Sequence, residues 1–478
     1  MLLTEREIDI PARQGNAGLL AYFEEAVRQH LPSNRLPVRF AVTKSDSSGY
    51  HCELGTLTGL GQACVSGPSS IFEFAPREVE STNQFNAIMI VPTGIGSEIG
   101  GHAGDAAPAA RLLAGVCDTL ITHPNVVNAS DINEMPENGL YVEGSVISNL
   151  LMGTIGLQKV HSNRVMLVID RHREKRITER TINAASAARS ALGLECPLVV
   201  EVDPPIKMSA EYSSSGSAVG RVEGLERVCD VLRRHRGEYD AVALASVIEV
   251  PWEYHTEYYK KNGEMVNPWG GVEAMFTHAI TMLFGIPTAH APMFGSLEIA
   301  NLDVGLVDPR MAAEAVSMCF LHCVLKGLHR SPRIITDKMV FSHPGVLTAA
   351  DISCVVIPDG CIGLPTLAAL EQGIPVIAVR ENRNRMKNQL EKFPFAPGKL
   401  FIVDNYLEAA GMMTALRRGV APSSVRRPLK ETRVCVCAGV SSRVNANVAA
   451  TKERGGRQAR IKRKEITEGA TSARGSRA

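Results

Sequence analysis

Apolar and polar positions change rhythm near residue 85. Before it, Leu19 to Leu31 (LLAYFEEAVRQHL) sets its apolar residues on one face at helical spacing. The runs Val38 to Thr43 and His51 to Leu57 read as strands, separated by the turn-forming Ser45-Asp46-Ser47-Ser48-Gly49. Residues 1–80 are therefore expected to form a small α+β module. From Phe85 onward, short apolar runs, glycine-rich turns and amphipathic stretches alternate, as in a parallel α/β sheet. Strands are predicted at Ala87 to Val91, Thr119 to Ile121, Val165 to Ile169, Leu198 to Val202, Ala241 to Ser246, Arg333 to Thr336, Cys354 to Ile357, Pro375 to Val379 and Leu400 to Val403. Helices fit Ala106 to Leu113, Glu179 to Leu192, Gly224 to Arg234, Gly271 to Phe284, Pro309 to Leu328 and Leu364 to Gln372.

So many strands suit two α/β layers better than one sheet. An internal similarity points the same way. Thr122 to Ile132 (THPNVVNASDI) matches Ser342 to Ile352 (SHPGVLTAADI), and Glu143-Gly144-Ser145-Val146 then matches Asp359-Gly360-Cys361-Ile362 in the same order. The expected fold is α/β, with two Rossmann-like halves and mostly parallel sheets. The first half covers 81–220; the second, 221–425, carries a tryptophan-containing insertion.

Charge changes the picture at the carboxyl end. The whole chain of 478 residues has 51 Lys and Arg against 50 Asp and Glu. Residues 426–478 hold 14 of the basic residues and only 4 of the acidic ones, which leaves an acidic body. That balance argues against nucleic acid as a partner of the body. The tail has no sustained apolar period and is expected to be disordered. Eleven cysteines at scattered spacing, with a charged MLLTEREIDI amino terminus, predict reduced thiols and a cytoplasmic protein with no membrane partner.

Three segments can carry chemistry. Val91 to Asp105 (VPTGIGSEIGGHAGD) follows a strand, and Thr93, Gly94, Gly96, Gly100 and Gly101 are expected to present amides and a hydroxyl to an anion. Within it, His102 and Asp105 suit a base and its orienting acid, while a structural turn with Asp105 capping the next helix is the plainer alternative. Thr122 to Asn133 places His123, Asn125, Asn128 and Asp131 after the next strand, where open α/β sheets bind ligands. In Asp359 to Thr366 (DGCIGLPT), Asp359, Gly360 and Cys361 form a turn ahead of a helix whose amino terminus would favour a thiolate.

Two further stretches weigh less. A zinc set can be drawn from Glu273, His278 and His290 near Trp252 and Trp269, but its spacing is not H-E-x-x-H, and His278 on an apolar helix reads as a core histidine. The serine run from Tyr212 to Ser217 reads as a surface loop or lid.

Ile90 to Pro108, Cys117 to Ile147 and Val355 to Asn382 resemble the family known as domain of unknown function 3326, over residues 85–429. The basic tail lies beyond that resemblance. Val355 to Ile377 is also distantly similar to the second cysteine motif of the aspartate/glutamate racemase and maleate isomerase superfamily. That similarity implies two α/β halves, no cofactor and catalysis by Cys361, with Ser145 standing opposite where the superfamily has its other cysteine. Gly373 to Val376 is in addition similar to the donor half of two-domain glycosyltransferases and sugar-nucleotide epimerases, with Glu371 in the place of their helix glutamate.

The expected function is a cofactor-independent, isomerase- or racemase-like enzyme acting on a small anionic metabolite, with a homo-oligomer among the expected partners. Cys361, His102, His123 and Asp105 would do the chemistry. Thr93, Gly94, Gly96, Gly100, Gly101, Asn125, Asn128, Ser145, Asp359 and Gly360 would bind the substrate. A nucleotide-sugar enzyme and a non-catalytic metabolite-binding protein are the alternatives.

Overall fold

The carboxyl ends of one parallel sheet position the site. In the computed structural model, which describes residues 1–14, 18–32, 34–60, 70–261, 263–317 and 319–435, six strands run in the order Leu400–Val403, Val376–Val379, Ile352–Pro358, Asn86–Met89, Thr119–Thr122, Gly139–Tyr141. Every neighbouring pair in it is parallel. Its central strands are buried on both sides, as in a sheet covered on both faces. One face packs on the helices Ala107–Ala114 and Tyr406–Arg417 through Leu113, Ala409 and Met413. The other packs on Leu19–His30, Gly144–Leu151 and Leu364–Gln372 through Phe23, Leu150 and Leu367. Strand order runs outward in opposite directions from the adjacent pair Asn86–Met89 and Ile352–Pro358. Such a reversal leaves a crevice at the carboxyl ends, where the following loops diverge.

The second large sheet is mixed. Its ten strands include parallel pairs among Leu198–Val202, Val165–Asp170, Ala241–Glu249 and Thr288–Met293. Antiparallel ladders then join Lys207–Tyr212, Ala218–Glu223, Leu2–Pro11, Gly49–Thr58 and Arg35–Ser45. Ile362–Gly363 closes the path by pairing with Val42 and Ala41, which ties the loop after the central parallel strand to this sheet.

The expectation of two Rossmann-like halves with mostly parallel sheets is therefore corrected to a mixed α/β fold with several sheets. Strands from both expected halves share both large sheets. Strands from residues 1–58, expected to belong to a small separate module, lie in the mixed sheet between Ala218–Glu223 and Ile362–Gly363. The ten-residue strand Leu2–Pro11 buries Leu3, Ile8 and Ile10 between charged neighbours. The helix Gly270–Phe284 covers this sheet, packing Val272, Met275 and Phe276 against Leu3, Val38, Leu57 and Val222.

The internal similarity divides. Thr122 to Ile132 follows a strand, whereas Ser342 to Ile352 precedes one, so that match is not structural. Glu143 to Val146 and Asp359 to Ile362 do correspond, each leading from a strand of the parallel sheet into a helix. The predicted helix Pro309 to Leu328 is broken into Pro309–Met311, Ala312–Val316 and Leu321–His329. The serine run is the turn of a hairpin pinned by carboxylates: Ser213 and Ser215 donate to Glu53, and Ser214 to Glu7. Residues Met1–Arg427 make one compact unit. The expected disordered tail lies outside the described residues from 436 onward.

Candidate functional site

A cavity of about 300 Å³ lies between the carboxyl ends of the parallel sheet and the helix Gly270–Phe284. The strands Arg35–Ser45 and Thr288–Met293 complete its walls. The helix turns Gly270, Glu273, Ala274, Thr277 and His278 toward it, residues that share one face at the 3.6-residue period.

The most buried acid of the site is Glu143, 5% exposed. It caps the helix Gly144–Leu151: its carboxylate accepts from the Ser145 amide at 2.9 Å and from the Ser145 hydroxyl. Its other oxygen lies against Nδ1 of His278, a contact that becomes an ion pair only when the ring is protonated. Burial pushes the Glu143 pKa up, but the His278 ring and the Ser145 donors outweigh it, and the group sits below its ordinary value. Glu143 is therefore a carboxylate at neutral pH. With Nδ1 turned to Glu143, the Nε2 of His278 has no protein partner among the described residues, and the ring lies on the cavity wall. This is the arrangement of a general base held by an acid.

A second pair faces the same space. Glu273 Oε1 is 2.8 Å from His290 Nδ1, and His290 Nε2 is 2.8 Å from Ser246 Oγ. The order Ser246, His290, Glu273 has the connectivity of a hydrolytic triad. Ser246, however, is 2% exposed, lies off the cavity wall and is 3.0 Å from Met208 Sδ, so it is not placed as a nucleophile. Glu314, also on the wall, is raised to about 7 by burial, against the opposing hydrogen bond from the Ala103 amide. Among the described residues, no three His, Cys, Asp or Glu side chains are grouped to hold a metal ion.

Of the residues singled out from sequence, Thr93, His123, Asn125, Asn128, Ser145 and Cys361 line the cavity. His123 accepts the Val91 amide on Nε2 at 3.1 Å, and burial lowers its pKa to about 4, so it is a neutral, already bonded ring. Asn125 donates to the Val91 and Gly100 carbonyls and holds the glycine loop together. Burial pushes the Cys361 thiol well up, the opposite of the thiolate expected from its place ahead of a helix.

The remaining candidates, His102, Asp105, Gly94, Gly96, Gly100, Gly101, Asp359 and Gly360, stand off the wall. His102 Nδ1 pairs with the Tyr258 hydroxyl at 2.6 Å and its pKa falls to about 4 with burial. Asp105 accepts the Gly100 amide at 2.8 Å within the glycine loop, and no side chain caps the following helix Ala107–Ala114, so the cap expected of Asp105 is not made. Asp359 accepts the amide of Gly360. At Gly94 a side chain would meet the Ala218 carbonyl at 3.0 Å, so that glycine serves close packing of the loop on the hairpin.

Glu143, Glu273, His278 and His290 are the polar centre, and sequence reasoning underweighted them. The helix carrying two of them is buried nearly all round, so its stripe of Glu273, Thr277 and His278 reads as core until the helix is placed over the cavity. Glu143 was visible only through its correspondence with Asp359.

Residues 86–426 match the model of a family described as "Protein of unknown function (DUF3326)". The chain is 36% identical over 346 residues to a protein of Synechococcus sp. named "Uncharacterized lipoprotein syc1174_c", covering 71% of this chain and 92% of the relative. No solved structure matches. The relative's description as a lipoprotein overturns the cytoplasmic placement expected here. That expectation leaned on unpaired cysteines; the nine described ones are free, and seven of them are buried. Among the described residues no single helix is long and apolar enough to cross a membrane.

Proposed function

The chain belongs to the DUF3326 family, and on that premise we propose that it is an acid–base enzyme acting on a small anionic metabolite. The observation that carries the reading is the Glu143–His278 pair, with its free imidazole nitrogen on the cavity wall. His278 Nε2 removes a proton from the substrate, and the Glu143 carboxylate stabilises the imidazolium that forms. General-base catalysis of this kind contributes roughly 10²–10⁴-fold. The helices Gly270–Phe284 and Leu364–Gln372 both open on the cavity at amino termini that no side chain caps, and their amides, with Thr93, suit the substrate's anionic group. The proton-transfer role expected of Cys361 and His102 or His123 thus passes to His278.

The nucleotide-sugar reading has less support. Glu371 accepts the Leu19 amide at 2.5 Å and caps the first helix, away from the cavity. Arg380 pairs with Asp404, and Arg383 with Glu98. A purely binding protein has no need of an oriented base.

The test is exchange of substrate protons in D₂O, followed by NMR across short-chain carboxylates bearing an α-hydroxyl, α-amino or α-keto group and across phosphate monoesters. Wild type exchanges a proton of at least one compound, and His278→Gln slows that exchange by roughly 100-fold or more. Equal rates in the two proteins refute the reading.

A further inference from the structure

We infer that Glu273 is a second catalytic residue, a proton-transfer carboxyl working with the His278 base, and that His290 and Ser246 are its positioning residues. The inference rests on the acid–base reading above. Glu273 and His278 stand on the same helix face and both line the cavity. His290 has no nitrogen left for a substrate, because Nδ1 is spent on Glu273 and Nε2 on Ser246. Glu273 has: one carboxyl oxygen meets His290, and Oε2 has no protein partner among the described residues. The side chain is 25% exposed, whereas His290 behind it is 1% exposed.

A buried serine–histidine pair that ends on a carboxyl group with one open oxygen is a device for aiming that oxygen. His290 sits on the strand Thr288–Met293 and Ser246 on its parallel neighbour Ala241–Glu249, so two adjacent strands fix the aim. Rigid elements hold reacting groups more accurately than loops do.

The step balances in protons. His278 takes one from the substrate, and the carboxylic acid form of Glu273 gives one to another substrate atom, leaving imidazolium and carboxylate. Water then accepts the proton of His278 and returns one to Glu273. The pair therefore moves a proton between two positions of one molecule, or adds and removes water across a double bond, and the substrate class is an anion with an ionisable C–H or O–H beside its anionic group.

The experiment separates the two groups. Compounds from the D₂O panel are incubated with wild type, Glu273→Gln, Ser246→Ala and His278→Gln, and proton wash-out and product formation are read together. The expected result is that Glu273→Gln keeps wash-out within a few-fold of wild type and loses product at least 100-fold. Ser246→Ala loses product by a smaller factor with wash-out unchanged. If Glu273→Gln, melting as wild type does, forms product at the wild-type rate or loses wash-out and product alike, the assignment of Glu273 fails while His278 stands. If Glu273→Gln does not fold, Ser246→Ala decides: an unchanged product rate overturns the aimed carboxyl. If wild type washes out no proton from any compound, the acid–base reading fails and this inference with it.

Discussion

Asp105, Asp170 and Glu314 are carboxyl groups whose pKa burial raises to about 7. For each, the unfolded chain ionises near pH 4 and the folded one near pH 7, so stability is full below the lower value and is lost as pH rises between them. Asp170 is the cleanest case, because it lies off the cavity and its oxygen accepts the Ile206 amide, a bond asparagine keeps. Asp170→Asn is predicted to stabilise the protein on the order of 2 kcal/mol above pH 7 and to change nothing below pH 4. Denaturant midpoints across that range check it. Cys361 makes a contrasting case: its thiol stays protonated, so Cys361→Ala is expected to keep proton wash-out within a few-fold, where His278→Gln does not. The residues of the site were legible one by one as Glu, His and Cys. Their pairing was not, since Glu143 and His278 are joined only when a sheet edge and a distant helix meet.

Among the elements, the apolar runs placed most strands within a residue or two, because a strand buried on both faces is a short unbroken apolar word. Leu198–Val202 and Leu400–Val403 have the bounds expected of them. Hidden strands such as Leu2–Pro11 and Lys207–Tyr212 are written in charged and small residues, and their pairing comes from distant neighbours. The glycine loop was legible as special, but its glycines serve packing. Gly271 shows what that packing does: a side chain there would collide with the Ala218 carbonyl, which the start of the helix Gly270–Phe284 touches. Gly271→Ala is predicted to destabilise by roughly 1–3 kcal/mol, as overpacking does, and to move Glu273 and His278 together. Thermal melting and the wash-out rate should fall in the same variant.

For the whole molecule, the family match begins at residue 86, yet Val38 to Ala41 wall the cavity and Leu2–Pro11 pairs on both sides within the mixed sheet. A chain starting at residue 81 is therefore predicted to be insoluble or unfolded, as circular dichroism would show. One ending after Arg427 is predicted to melt as the full chain does, because the compact unit closes there. The cavity's walls are drawn from Val38 through Met386. A site assembled from such distant stretches forms late and slowly in folding, because long loops must close before its contacts exist. No fragment released early from the ribosome or by a protease holds a working half of it, and a ligand seated there should shield the whole unit from digestion at once.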